Sequence, residues 1–111
     1  APSDKFELFA LPGAVDASKV APTDSVQYKT LNKTVREVFP DALVAPGLMV
    51  AATDSAHFGA ISDHIFKFSP IRANNEDLKR FHGTNERLSV KNYLDAIRFY
   101  HRLIPQMAAA Q

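Results

Sequence analysis

The chain has no cysteine and almost no net charge. Without cysteine it can form no disulfide, thiolate metal site or cysteine nucleophile. The absence of cysteine does not indicate the cellular compartment. Thirteen Lys and Arg against twelve Asp and Glu give a formal net charge of +1 with no block of one sign, so we expect no nucleic-acid partner. No apolar run approaches the roughly 18 residues of a membrane span, so we expect none.

The composition is that of a folded domain. Of the 111 residues, 46% are hydrophobic and 23% are charged, and there is no internal repeat. A domain of this length can remove roughly two-thirds of its unfolded surface from water. We therefore expect one folded unit.

Two segments have the apolar spacing of amphipathic helices. The first lies between a possible N-cap at Asp24 and Pro40, and the second lies between a possible N-cap at Ser89 and Pro105, which we expect to end it. The apolar face of the first consists of Tyr28, Leu31, Val35, Val38 and Phe39. The apolar stripe of the second consists of Val90, Leu94, Ile97, His101 and Ile104, widened by Tyr93, Tyr100 and Leu103. So wide a stripe predicts a helix packed on more than one side.

Other apolar segments are candidate β-strands. Residues 47–52 are apolar without alternation, which is typical of a strand covered on both faces. Residues 65–68 alternate apolar and polar side chains, residues 6–11 could pair as a further strand, and residues 57–64 could form a short helix. The order of helices and strands predicts an α/β layer arrangement.

Two polar segments lie where ligands often bind. Residues 53–55 directly follow a candidate buried strand, at the sheet edge where α/β proteins bind ligands. Residues 81–86 are rich in turn formers and predict a loop, in which His82 precedes a glycine that permits close backbone approach. Both segments are candidates for a functional site.

The histidines and serines leave alternatives open. His57 and His64 would share a helix face, but without a third ligand ordinary surface histidines are favoured over a zinc site. Asp54, Ser55 and His57 suggest a serine nucleophile, but no G-x-S-x-G motif surrounds the serine. A cap formed by Asp54 or Ser55 is the simpler interpretation.

Three segments together have the character of a family signature. They are TDSAHF at 53–58, IFKFSPIR at 65–72 and DLKRFHGTNERLSVKNY at 77–93. From about residue 22 to residue 104 the chain resembles the C-terminal part of the carboxypeptidase S and aminoacylase type of di-zinc metallopeptidase. That family also includes carboxypeptidase G and the N-acyl-amino-acid hydrolases. The FHGTNERLSV block is the most specific part of the resemblance.

The resemblance implies a particular domain organisation. Enzymes of the family have a catalytic α/β domain with two zinc ions and a smaller inserted lid domain that often dimerises. By this likeness, residues 1–22 would be a linker or the end of the lid domain. Residues 23–111 would be the C-terminal part of the catalytic domain, a zinc exopeptidase-like (phosphorylase/hydrolase-like) fold with helices packed on a small mixed sheet.

The resemblance also implies roles for single residues. His82 would be the family's final histidine, a zinc ligand. The residues supporting its loop would be Gly83, Asn85 and Glu86. The residues near the substrate would be Thr53, Asp54 and Ser55. Relatives closest to carboxypeptidase S usually carry a basic residue where this chain has Ala56, so this position lacks a charge for a substrate carboxylate.

The family's other metal ligands and its general base lie upstream and do not occur in this sequence. The first hypothesis is therefore a C-terminal segment of a zinc-dependent metallopeptidase or amidohydrolase that cleaves peptide or N-acyl-amino-acid amide bonds with metal-activated water. Alone, the segment would be inactive and would not retain zinc. The alternative is a non-catalytic, self-associating interaction module. Expected partners are the remainder of the catalytic domain or a second copy, because a half-domain exposes apolar faces.

Overall fold

The computed structural model describes residues 4–13 and 17–109, and all regular secondary structure in these residues is helical. In chain order the elements are α1 (Val26–Val38), a 3₁₀ turn (Asp54–Phe58), α2 (Asn75–Leu78) and α3 (Val90–Ala108). Helices α1 and α3 pack against each other, and irregular segments connect the elements. None of the described helices combines the length and the apolarity needed to cross a bilayer.

The described chain is elongated. Its radius of gyration is 18.4 Å, and it extends 59 × 39 × 23 Å. A compact domain of about 110 residues has a radius of gyration of about 13 Å. Much of the chain is therefore not gathered around one core.

Helix α1 begins one residue later than the sequence predicted. Ser25, with extended backbone, is the N-cap, and its hydroxyl oxygen accepts a hydrogen bond from the Tyr28 N–H at 3.2 Å. The prediction of Asp24 as cap is therefore wrong. The helix ends at Val38, as expected, because Pro40 disfavours helical geometry in the residue before it.

The predicted start of helix α3 is confirmed, but its predicted end is wrong. Ser89 is the N-cap and accepts a hydrogen bond from the Asn92 N–H at 3.1 Å. The expectation that Pro105 ends the helix is wrong, because the helix continues to Ala108. The Pro105 carbonyl accepts a hydrogen bond from the Ala109 N–H at 3.1 Å, so one more turn closes after the proline.

The core of the described chain is small and lies between α1 and α3. Its buried apolar side chains are Val35, Phe39 and Phe99. Phe99 is fully buried, with its ring centroid 6.5 Å from that of Phe39 and 5.4 Å from that of Phe68. This aromatic cluster joins α3 to the end of α1 and to the segment before α2.

Polar groups also join the two helices. The hydroxyl of fully buried Thr34 donates to the Thr30 carbonyl at 2.9 Å and lies 3.3 Å from Gln106 Oε1. Glu37 Oε2 accepts from Gln106 Nε2 at 3.3 Å and from Arg102 Nε at 2.6 Å. The hydrogen bond from Gln106, and then that from Arg102, lowers the pKa of Glu37. These contacts fix the register of α3 along α1.

The predicted apolar stripe of α3 lies on the side away from α1. Residues advance by about 100° along a helix, so the stripe is opposite Phe99, the residue that α1 covers. Among its members, Ile97 is 49% exposed and Val90 is 76% exposed. We call Val90, Leu94, Ile97 and Ile104 the apolar stripe of α3. The expectation that α3 is packed on more than one side is wrong for the described chain, although Leu103 at the edge of the predicted stripe packs against the core. His101 is exposed.

The described residues contain no β-strand, so the prediction of an α/β arrangement with helices on a small mixed sheet is wrong for them. Residues 6–11, 47–52 and 65–68 are irregular. The helix predicted over 57–64 is absent too, because the 3₁₀ turn includes only its first two residues and no helix follows over 59–64. A strand exists only when its backbone groups pair with a neighbouring strand, and these segments do not pair with one another. Their composition predicts burial but cannot supply the pairing.

Candidate functional site

The segment that carries His82 begins with a short, well-capped helix. Asn74 Oδ1 accepts hydrogen bonds from the N–H groups of Glu76 at 2.8 Å and Asp77 at 3.0 Å. Asp77 Oδ2 in turn accepts from the Asn74 N–H at 3.0 Å, which completes a capping box. Asp77 also forms an ion pair with Arg80. These local contacts define how the chain enters the loop.

The loop turns sharply at His82 and Asn85. Both residues have positive φ, 57° and 62°, a conformation that costs about 1–2 kcal/mol for a residue with a Cβ but is tolerated best by Asn, Asp and His. The Gly83 N–H donates to the Arg80 carbonyl at 3.0 Å and closes the first turn. The exposed His82 imidazole makes no hydrogen bond within the described part of the chain. It is therefore presented to the surface with both nitrogens available.

The residues predicted to support this loop contribute unequally to the geometry. Asn85 supplies the second turn. A Cβ added at Gly83 would lie 3.5 Å from the Arg80 carbonyl oxygen, an ordinary contact, so the described turn does not require glycine. Glu86 is exposed, and its carboxylate has no partner among residues 4–13 and 17–109. The supporting roles of Gly83 and Glu86 stay predictions.

The triplet 53–55 forms the start of the 3₁₀ turn. Thr53 Oγ1 accepts from the Ser55 N–H at 3.2 Å, and the two hydroxyl oxygens lie 2.5 Å apart. A cap was predicted here, but Thr53 provides it rather than Asp54 or Ser55. The Ser55 hydroxyl is paired with Thr53 and forms no hydrogen bond with His57. The geometry therefore gives no support to a serine nucleophile, and a place near the substrate stays a prediction.

The metal-binding groups of the described chain do not form a site by themselves. No three His, Cys, Asp or Glu side chains come together in the described ranges. Zinc sites in proteins use at least three protein ligands. His82 has the chemistry and the exposure of one ligand, but the donor set present here is incomplete for zinc.

Arg72 anchors the chain just before α2, and the sequence reasoning missed it. Its guanidinium donates to both carboxylate oxygens of Asp41, at 2.8 and 2.5 Å, and lies 5.3 Å from the centre of the Phe39 ring. Its backbone is bound by the side chain of Asn92. Hydrogen bonds from Arg72, and then one from its own backbone, lower the pKa of Asp41. Both Arg72 and Asn92 lie in the signature segments, but spacing alone does not show that they meet.

An apolar groove lies apart from the His82 loop. It has a volume of about 820 Å³ and is formed by one face of α1 together with the irregular segments 17–23, 42–50 and 65–72. Tyr28, Leu31 and Phe39 line it from the helix side. His82 does not line the groove, so the groove and His82 do not form one site.

Comparison with known proteins gives relatives of two kinds. The chain is 37% identical over 101 residues to a probable carboxypeptidase S-like protein of Dictyostelium discoideum, covering 91% of this chain and 20% of that protein. It is 41% identical over 81 residues to an N-fatty-acyl-amino acid synthase/hydrolase of Danio rerio, covering 73% of this chain and 16% of that protein. The corresponding Xenopus tropicalis protein is 39% identical over 102 residues, covering 91% and 20%. No protein-family model and no solved structure matches the chain.

These relatives define a class of carboxypeptidase-like hydrolases. The chain belongs to the family of the carboxypeptidase S-like proteins and the N-fatty-acyl-amino acid synthase/hydrolases. The family predicted from the three signature segments is thereby confirmed. The chain spans about a fifth of the length of these relatives.

Proposed function

We propose that this chain is one part of a zinc-dependent hydrolase that cleaves peptide or N-acyl-amino-acid amide bonds, and that His82 contributes one ligand to its metal site. The observation that carries the proposal is the loop itself. It holds an exposed imidazole in a positive-φ turn between well-capped helices, in a chain whose relatives are carboxypeptidase-like hydrolases.

Zinc bound at such a site would activate a water molecule for attack on an amide carbonyl. The described residues offer one ligand and no group of three, so the other ligands and the general base would come from other parts of a longer protein. Isolated, the chain would be inactive and would not retain zinc. The His82 side chain would donate one imidazole nitrogen, and its loop would hold that nitrogen at the surface where the other ligands can reach it.

The exposed apolar surface supports a larger catalytic domain. The apolar stripe of α3 and the groove beside α1 both present apolar side chains to solvent. Soluble monomers rarely expose contiguous apolar patches larger than a few hundred Å². We propose that residues 23–111 belong to this domain and that its remainder covers both surfaces. Residues 1–22 would be a linker or the end of the lid domain.

The triplet 53–55 would lie near the substrate in the assembled enzyme. The hydroxyl groups of Thr53 and Ser55 are joined by a hydrogen bond, and both residues lie at the start of the 3₁₀ turn. Asp54 is exposed beside them. The substrate would be a peptide or an N-acyl-amino acid, and Ala56 contributes no charge to its binding.

The same exposed surfaces favour a second candidate function. A chain with an open apolar stripe can associate with a second copy, and it would then act as a non-catalytic interaction module without metal. The two functions differ in what covers the stripe. In the hydrolase it is the rest of the same protein, whereas in the module it is an identical chain.

The zinc content of a longer protein containing this chain tests the proposal. We expect His82→Ala to lower zinc content and amide hydrolysis together, and the matched control His64→Ala to change neither. Unchanged zinc content in His82→Ala would refute the ligand role.

Sedimentation of the isolated chain tests the second function, which requires a defined oligomer that needs no zinc.

A further inference from the structure

The side chain of Asn92 holds the backbone of Arg72 at two points. Asn92 Oδ1 accepts a hydrogen bond from the Arg72 N–H at 3.2 Å, and Asn92 Nδ2 donates to the Arg72 carbonyl at 2.8 Å. A carboxamide is well suited to this, because it has both an acceptor and a donor. The two residues are 20 positions apart in the chain. The pair therefore closes a long loop at its base.

The loop closed by this pair carries the candidate metal ligand. The enclosed segment contains α2, the two positive-φ turns and His82. The backbone of Asn92 also takes part, because its N–H donates to the Ser89 cap of α3 at 3.1 Å. Asn92 thus contacts both ends of the loop, at Arg72 and at the cap of α3.

The Arg72 side chain is held by two residues that follow directly after α1. Its guanidinium makes a two-point ion pair with Asp41 and lies over the ring of Phe39, whose side chain is buried in the core. The loop base is therefore bound to α3 and to the segment that follows α1. In contrast, the exposed His82 side chain makes no hydrogen bond within the described residues.

We propose that Asn92 is a positioning residue for His82, which it places by closing the base of the loop onto Arg72. The inference rests on the proposed role of His82 as a zinc ligand. Asn92 would not touch the metal or the substrate. It acts through the backbone of residues 72–92.

Trypsin cleavage at Lys79 and Arg87 in the loop tests the closure in the chain as it stands. Asn92→Asp keeps the size and one acceptor but loses the donor to the Arg72 carbonyl, and its new carboxylate suits the first turn of α3. Asn32→Asp is the matched control, because it makes the same change in α1, where Asn32 only accepts from Arg36 at 2.8 Å. We expect cleavage to become about three- to tenfold faster in Asn92→Asp, in line with the loss of one hydrogen bond. An unchanged rate would overturn the proposal.

Zinc affinity in a longer protein containing this chain separates positioning from mere stability. By competition with a chromophoric chelator, we expect Asn92→Asp to weaken zinc binding about tenfold, as outer-shell partners of metal ligands do, and Asn32→Asp to leave it unchanged. Equal affinities in the two variants would overturn the positioning role even if the loop is cleaved faster. If His82→Ala also leaves the affinity unchanged, the proposed ligand has failed. If His82→Ala weakens binding and Asn92→Asp does not, only the present inference has failed.

Discussion

The α1–α3 helix pair and the segment 42–68 between the helices differ in how they treat their apolar residues. In the helix pair, Phe99 is fully buried and Val35 nearly so. In the segment, Leu43 is 95% exposed and Val50 is 90% exposed. Both regions are rich in residues that prefer burial. The difference is one of partners, because each helix has the other to pack against and the segment has no paired strand.

The comparison shows that a helix and a strand differ in where their backbone groups find hydrogen-bond partners. An α-helix satisfies its backbone hydrogen bonds internally, so α1 and α3 each need only an apolar surface to pack against. A strand leaves its backbone groups unpaired until another strand is present. Helix α3 shows the same difference between its two sides, since one side packs on α1 while its apolar stripe is exposed to solvent.

Removing the centre of the packed region should have the largest effect. Phe99→Ala deletes a fully buried ring that contacts Phe39 and Phe68, so we expect the free energy of unfolding to fall by about 3–5 kcal/mol. Urea unfolding followed by circular dichroism measures this change. Ile104→Ala, on the exposed side of the same helix, should change stability by less than about 0.5 kcal/mol. Similar effects of the two variants would contradict the division between the two sides of α3.

The second prediction concerns Ile97 in the apolar stripe. In the isolated chain, where this side chain is 49% exposed, Ile97→Ala should lower the free energy of unfolding by less than about 0.5 kcal/mol. In a longer protein that covers the stripe, the same change should cost about 2 kcal/mol, because it leaves a cavity. Thermal unfolding of both proteins provides the comparison. An equally small cost in the longer protein would show that the stripe remains open there.

The third prediction concerns the buried hydroxyl of Thr34. Thr34→Val keeps the shape but loses the bond to the Thr30 carbonyl and the contact with Gln106, so we expect a loss of about 1 kcal/mol. Thr30→Val is the matched control one turn earlier, because the Thr30 hydroxyl makes no hydrogen bond in the described structure. The urea midpoints of the two variants measure this loss. If Thr30→Val is as unstable as Thr34→Val, the Thr34 hydroxyl has no specific stabilising role.

The smallest effect should be the pH dependence from Asp41. Arg72 lowers the pKa of this carboxyl, so the folded chain binds fewer protons there than the unfolded chain. The stabilisation is therefore present above about pH 4 and is lost as the pH falls through the lower folded-state pKa. Urea midpoints between neutral and acidic pH should fall less steeply for Asp41→Asn than for the parent chain. Because the pair is exposed, the difference should be small and should shrink further in salt.

Several local features could be predicted from the sequence because their causes are local. The Ser89 cap and the end of α1 before Pro40 each depend on a few neighbouring residues. The loop at 81–86 follows from its turn-forming residues, and the FHGTNERLSV block indicates the family that the relatives confirm. The pairing of Arg72 with Asn92 and of Thr34 with Gln106 could not be predicted, since each joins residues far apart in the chain.

The sequence by itself determined that two amphipathic helices form, roughly where they begin, and which family the chain belongs to. Only the tertiary structure decided which side of α3 is covered, and it selected the side of Phe99 instead of the apolar stripe. It also decided that the candidate strands remain unpaired in the described chain. The physical reason is that periodicity reports which side chains gain from burial, whereas burial and strand pairing require a surface that lies elsewhere in the chain or outside it.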